Sequence, residues 1–430
     1  MRPDPHSGED PPQDPTHGER GILLSSESRL RDRSDTAVAE QSARLGGAPL
    51  LLAVGTFAIG TDAFVIAGLL PSIARDLHTS VPSAGLLVTV FAVSYAIAAP
   101  LLTALTAGWG QRRILVLSQL VFTVGMVLQA VGPALAVVAA GRVIAAAGAA
   151  TYIATAGAAA SGMVSPERRG RALAMVTGGL TVSTVLGAPL GALVGDWLGW
   201  RATLWLVAVF GLVACAGAAR VPAQPLGGAK AKARFAVLAR PGMLPVLGVT
   251  VGQLAAIFTI YTYLPAASSP GVTEAQFPLL LLLYGVAGVA GNALAGRLTD
   301  RFRPLAVLRV GLLINGLIAA LMLFGRHSLL AMVVLVPVWS ASGWLVTVPQ
   351  QHRLMSLVPD APAVALGWVE AAIYAGTAVG SVVGARLLDL DLPSWLGPAG
   401  AAFAAVALLL SLLKVRPPAA ADEPTDPAPA

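Results

Sequence analysis

Residues 276–298 read QFPLLLLLYGVAGVAGNALAGRL, and residues 299–303 read TDRFR. At about 1.5 Å of rise per residue, a helix over the first stretch reaches across a hydrocarbon layer of about 30 Å. It carries no charged residue until Arg297, after which Asp300, Arg301 and Arg303 close it with charge. A helix of that length, uncharged over its whole run and ended by a basic cluster, has the bilayer as its solvent.

Outward from this stretch the same alternation repeats. Spans are predicted near 48–70, 83–106, 113–133, 135–160, 171–195, 200–219, 242–265, 276–298, 305–325, 329–349, 364–388 and 394–413. Of the 430 residues 56% are hydrophobic and 12% charged, where a soluble domain carries roughly 25% charged residues. No soluble fold covers that much apolar surface. The longest polar break inside the array, 221–241, divides the spans six and six. The predicted chain is therefore an all-α polytopic membrane protein of two six-helix bundles, over 47–220 and 242–414, joined by a linker at 221–241. Residues 1–46 and 415–430 are polar and rich in Pro, with no apolar period, and are predicted to be disordered tails.

The net charge of +6 follows topology. One set of short loops holds Arg112, Arg113, Arg168, Arg169, Arg171, Arg297, Arg301, Arg303 and Arg353, and the other only Arg75, Arg201, Arg326 and Arg386. That bias predicts both termini, and the linker, in the cytoplasm of a multi-pass inner-membrane protein. Basic residues scattered over loops form no contiguous face for nucleic acid. The one cysteine, Cys215, lies within a span, and the five histidines, His6, His17, His78, His327 and His352, lie in tails or at helix ends without metal-ligand spacing. No Walker sequence is present. No metal, cofactor or catalytic group is expected, so the chain does not read as an enzyme.

Three ionisable residues fall inside spans, where insertion costs each about 2.5 to 3.5 kcal/mol and marks it as a functional candidate. Asp62 lies about 21 Å from the inner end of its span and Arg142 about 10 Å from the outer end of its own. The two share a depth, and a pair between them reads either as a static ion pair or as a proton-coupling site. Glu370 lies only about 9 Å from the inner surface, as a second proton site, a gate partner or a snorkelling side chain. Gln253, Thr259, Phe64, Trp344 and Tyr374 are candidates to line a central substrate cavity. Tyr261 and Tyr263, near the outer end of span seven, suit either that cavity or an interfacial aromatic belt.

Several motifs carry a family resemblance. Gly296-Arg297-Leu298-Thr299-Asp300-Arg301, between spans eight and nine, resembles the G-x-L-x-D-R loop signature of the major facilitator superfamily, and the resemblance makes Gly296, Asp300 and Arg301 gate residues. The loop after span two reads Ala107-Gly108-Trp109-Gly110-Gln111-Arg112-Arg113, with Ala107 and Gly108 in place of the Asp-Arg pair and Arg112 and Arg113 clustered as in some chloramphenicol-type exporters. Gly187-Ala188-Pro189-Leu190-Gly191 resembles the antiporter signature of span five. Gly60-Thr61-Asp62-Ala63-Phe64, with Gly68-Leu69-Leu70-Pro71, is similar to the first-span signature of arabinose, purine-nucleoside and chloramphenicol exporters, with the acid one place earlier, about 100° around the helix. The resemblance implies the major facilitator fold, two bundles with pseudo-two-fold symmetry, acting as a monomer. It implies a secondary active transporter whose partners are a small-molecule substrate, protons and the bilayer, coupling proton entry to efflux of a drug-like or antibiotic molecule. A sugar or nucleoside exporter, and a non-transporting membrane sensor, are the alternatives.

Overall fold

The structure is a computed structural model that describes residues 48–106, 108–164, 168–222, 236–358 and 362–413. The expected tails 1–46 and 415–430, residues 223–235 of the expected linker, and Ala107 lie outside the described residues. Twelve helices among those described are long and apolar enough to cross a membrane. They are α1 (Ala48–Asp76), α2 (Val81–Leu105), α3 (Gln111–Val131), α4 (Leu135–Gly162), α5, α6 (Trp200–Ala218), α7 (Met243–Tyr261), α8 (Phe277–Arg301), α9 (Pro304–Gly325), α10, α11 (Pro362–Asp389) and α12 (Leu396–Ser411). Helix α5 runs through Arg169–Val182, Ser183–Gly187 and Ala188–Leu198, and α10 is Leu329–Leu345 continued by Thr347–Leu357.

Within the first half α1 packs on α5 and α6, α2 on α4, and α3 on α4 and α6; within the second half α7 packs on α11 and α12, α8 on α10, and α9 on α10 and α12. Adding six to each helix number of the first set gives the second. The halves meet through α2 on α11 and α5 on α8, a set that exchange of the halves maps onto itself. This is the pseudo-two-fold arrangement of two six-helix bundles.

Helices in lipid gain nothing by hiding apolar side chains from the lipid tails, so they associate where small residues let backbones approach. Helix α5 supplies such a ridge. A Cβ added at Gly187, Gly191 or Gly195 would fall 2.2 Å from Thr61 Oγ1, 2.6 Å from Val65 Cγ2 and 2.3 Å from Leu69 Cδ2, respectively. The four-residue steps on the two helices run in register. Pro189 has no N–H to return to Val185, and the helix widens into a π-helical turn at Ser183–Gly187 just before it. The second half repeats the device on α11. A Cβ at Gly376 or Gly380 would fall 2.5 Å from the carbonyl of Val251 or Ala255, and one at Gly384 would fall 2.9 Å from that of Thr259. Across the halves, a Cβ at Gly285 of α8 would fall 2.2 Å from the Thr184 carbonyl of α5.

These distances separate two classes of glycine. Gly380→Ala forces α7 and α11 apart and should lower stability by about 1 to 3 kcal/mol, seen as a lower melting temperature of purified protein in detergent. Gly178→Ala, where a Cβ meets nothing within 4 Å, should leave the melting temperature unchanged or raise it.

Candidate functional site

Thr61 and Val65 face α5, and Asp62, about 100° around the helix from Thr61, faces α4. Arg142 Nη1 donates to Asp62 Oδ1 at 2.6 Å. Its Nε donates to the Leu87 carbonyl at 3.3 Å, and its guanidinium lies 4.3 Å from the centroid of the Phe91 ring. The side chains are 1% and 0% exposed, for Arg142 and Asp62 respectively, so the attraction acts with little screening. Asp62 Oδ2 has no hydrogen-bond partner among the described residues.

Arg142 also reaches a cavity of about 130 Å³ between the two halves. The first half contributes Ala63, Phe64, Val88, Phe91, Arg142 and Leu180, and the second contributes side chains of α7, α8, α10 and α11, among them Gln253, Phe258, Tyr284, Trp344, Tyr374 and Thr377. Four of the five expected cavity residues, Phe64, Gln253, Trp344 and Tyr374, therefore line it. Gln253 Nε2 donates to the Gly343 carbonyl at 2.6 Å, which holds the amide against α10.

Thr259 does not line the cavity. Its side chain is buried, its hydroxyl donates to the Ala255 carbonyl at 2.7 Å, and its backbone lies under Gly380 and Gly384 of α11. The polar residue marks the face of α7 that takes the glycine ridge. Tyr261 and Tyr263 are neither belt nor cavity lining. Both are buried, Tyr261 donating to the Phe64 carbonyl of the other half at 3.0 Å and Tyr263 to the Ser381 carbonyl at 3.1 Å.

The ends of the bundle differ. At the end away from the basic loops, Arg75 and Glu274 pair across the halves at 3.2 Å. Deeper in, the hydroxyls of Thr89 and Ser381 lie 2.7 Å apart and Tyr261 holds Phe64. Among the described residues these three are the hydrogen bonds that join the halves. At the basic end Asp300 and Arg301 are exposed and form no ion pair among the described residues, and a Cβ at Gly296 or Gly367 would meet nothing within 4 Å. Asp300 makes no hydrogen bond to a neighbouring helix among the described residues. Arg112 does not reach across the halves either: its Nε donates to the Val221 carbonyl at 2.5 Å, and Arg113 lies over the Trp109 ring at 4.5 Å. Glu370 stands alone, half-buried, with no ion pair or hydrogen bond among the described residues. No group of histidine, cysteine and acidic side chains suited to a metal ion occurs among them.

Residues that the sequence did not single out complete the site. Phe91 carries Arg142, and Tyr95 of α2 stacks on Tyr374 of α11 with ring centroids 3.6 Å apart. Their signal was available: Leu87, Phe91 and Tyr95 stand four residues apart on α2, as Gly376, Gly380 and Gly384 do on α11.

Residues 52–364 and 248–430 match the Major Facilitator Superfamily, and the chain belongs to that family. It is a multi-pass inner-membrane transporter of small molecules. The chain is 37% identical to the chloramphenicol resistance protein of Streptomyces lividans over 375 residues, 84% of this chain and 94% of that protein. It is 32% identical to the inner membrane transport protein YdhP of Escherichia coli over 376 residues, 86% of this chain and 96% of that one. It is 28% identical over 375 residues to YbcL of Bacillus subtilis, an uncharacterized transporter of the same superfamily, with 84% and 94% covered.

The buried pair predicts an asymmetry in stability. Asp62→Ala leaves Arg142 without its counter-charge and should cost about 3 to 5 kcal/mol, whereas Asp62→Leu with Arg142→Met should lie nearer the parent. Denaturation of the three proteins in detergent measures the difference.

Proposed function

We propose that the protein is a proton-coupled exporter that exchanges protons for a small drug-like or antibiotic molecule by alternating access. The observation that carries this reading is the placement of the Asp62–Arg142 pair, buried on one side and meeting the central cavity through Arg142 on the other. A proton on Asp62 cancels its charge and frees Arg142 from a 2.6 Å contact, so occupancy of the cavity and protonation of the acid compete through one guanidinium. The likeness to a chloramphenicol resistance protein supports export of an antibiotic. A cavity wall built of Phe64, Phe91, Phe258, Tyr284, Trp344 and Tyr374 suits an aromatic, weakly polar substrate better than a sugar, whose hydroxyls each need a hydrogen-bond partner.

In this reading the basic end faces the cytoplasm, and both termini lie there. The structure then corresponds to an inward-facing state: Arg75–Glu274, Thr89–Ser381 and Tyr261–Phe64 hold the outer side together, while Asp300 and Arg301 wait to engage. The halves rock about α2–α11 and α5–α8. The bundles would act as two bodies, 47–220 and 242–414, with the linker at 221–241 tethering them.

Two experiments test this. In proteoliposomes loaded with chloramphenicol, Asp62→Asn should reduce uphill flux driven by a pH gradient at least tenfold while substrate still binds; undiminished uphill flux would remove Asp62 from coupling. For orientation, in a Cys215→Ala background His352→Cys should resist an impermeant maleimide in intact cells, and Leu390→Cys, 67% exposed at the opposite end, should react. Reversed labelling overturns the assignment of sides.

A further inference from the structure

Helix α10 is interrupted where it borders the cavity. Its first segment ends at Leu345 and its second begins at Thr347, and Gly343, Trp344 and Thr347 all line the space. The interruption leaves the Gly343 carbonyl with one backbone donor among the described residues, the Val346 N–H at 3.4 Å, too long for a strong bond. A carbonyl orphaned at a helix end needs a partner from elsewhere. Gln253 of α7 supplies it, with Nε2 at 2.6 Å.

That bond fixes which way the amide points. A carbonyl oxygen can only accept, so the atom beside it is the amide nitrogen, and Oε1 is left on the other side. Four glutamines are buried among the described residues, Gln119, Gln129, Gln253 and Gln350. In the other three, Oε1 is both enclosed and unpartnered. Oε1 of Gln253 also accepts no hydrogen bond among the described residues, but it is not enclosed, and the space its side chain borders is the cavity.

The other polar groups of the wall do not discriminate between donors and acceptors. The hydroxyls of Tyr284, Thr347 and Tyr374 accept or donate as a ligand requires. Thr377 already donates to the Ile373 carbonyl at 3.1 Å, and Arg142 to Asp62 and Leu87. Oε1 of Gln253 can only accept. A ligand that turns an ester, ketone or ether oxygen toward it sets lone pair against lone pair, whereas an O–H or N–H completes the amide. Between rings such as Phe258 and Trp344, an acceptor left unmatched by the ligand loses its hydration without replacement.

We infer that Gln253 is a specificity-determining residue, which selects, among aromatic molecules that fit the cavity, those carrying an O–H or N–H donor set against α7 and α10. The inference rests on the reading of that cavity as the substrate site. It narrows the substrate class to neutral aromatic alcohols and secondary amides, and it separates molecules of nearly the same shape by a single hydrogen atom. A site built around a hydrogen bond rejects the analogue lacking it far more strongly than an apolar pocket rejects a missing methylene.

The test is binding to the full-length protein in nanodiscs, by titration calorimetry without any ion gradient, of chloramphenicol, its di-O-methyl ether and its N-methyl amide. One capped compound should bind the parent at least tenfold more weakly than chloramphenicol, and which one it is names the donor as hydroxyl or amide. Gln253→Met, similar in length but without the acceptor, should weaken chloramphenicol itself and bring that ratio within about threefold of unity. Melting temperatures establish that the variant is folded. Equal binding of all three compounds by the parent overturns the inference without recourse to any variant, and so does a penalty that persists in Gln253→Met, which would make it steric. No saturable binding of chloramphenicol to the parent would remove the cavity reading and this inference together. Lost proton-driven export with the ratio intact would strike only the proposed coupling.

Discussion

Helices already dissolved in hydrocarbon have no hydrophobic reason to touch one another, so what holds this protein together is how closely two backbones can come. The glycine ridge of α5 against Thr61, Val65 and Leu69 sets that distance in the first half, and Gly376, Gly380 and Gly384 set it in the second. Everything at the site follows from the rotation these contacts impose. With Thr61 and Val65 committed to α5, Asp62, about 100° around the helix from Thr61, is turned toward α4, where it meets Arg142. The one-place shift of the acid, a departure from the resembling exporters, is thus matched by the position of Arg142.

The same close approach explains the cavity. Ridges draw α1 to α5 and α7 to α11 inside each half, and the halves meet chiefly through α2–α11 and α5–α8, so a space remains on the axis between them. Its walls come from most of the helices, chiefly through aromatic side chains, whose few torsions keep the lining defined without a ligand. Polar groups there are few and mostly committed, Gln253 to Gly343 and Arg142 to Asp62. Selection is left to shape and to the few polar atoms still free.

Much of the fold was legible because a membrane span is a one-dimensional signal: length, apolar run and flanking charge. The six-and-six division, the twelve spans and the shared depth of Asp62 and Arg142 need only a rise per residue. Depth along a helix does not fix azimuth, and there the sequence ran out. Thr259, Tyr261 and Tyr263 were placed at the right height and on the wrong structures. A hydroxyl reads as cavity lining or belt, yet a helix can equally spend it on a carbonyl of its own turn, as Thr259 does, or on a neighbour's, as the two tyrosines do. Asp300 and Arg301 were legible as a motif, but in the structure both are exposed and form no ion pair among the described residues.

The Gly285–Thr184 contact between α8 and α5 has a mechanical consequence. Main chain lies on main chain there, with no side chain interposed, so the two helices can turn against each other without any rotamer having to clear. In the proposed rocking of the halves, this contact is the axle of a lever. From Gly285 to the charged end of α8 at Arg301 the arm is about 24 Å, and a turn of roughly 10°, smaller than the subunit rotations of known switches, swings its tip about 4 Å. That travel exceeds the reach of an ion pair while leaving the axle almost still. A side chain at position 285 would fall 2.2 Å from the Thr184 carbonyl and prise the bearing open.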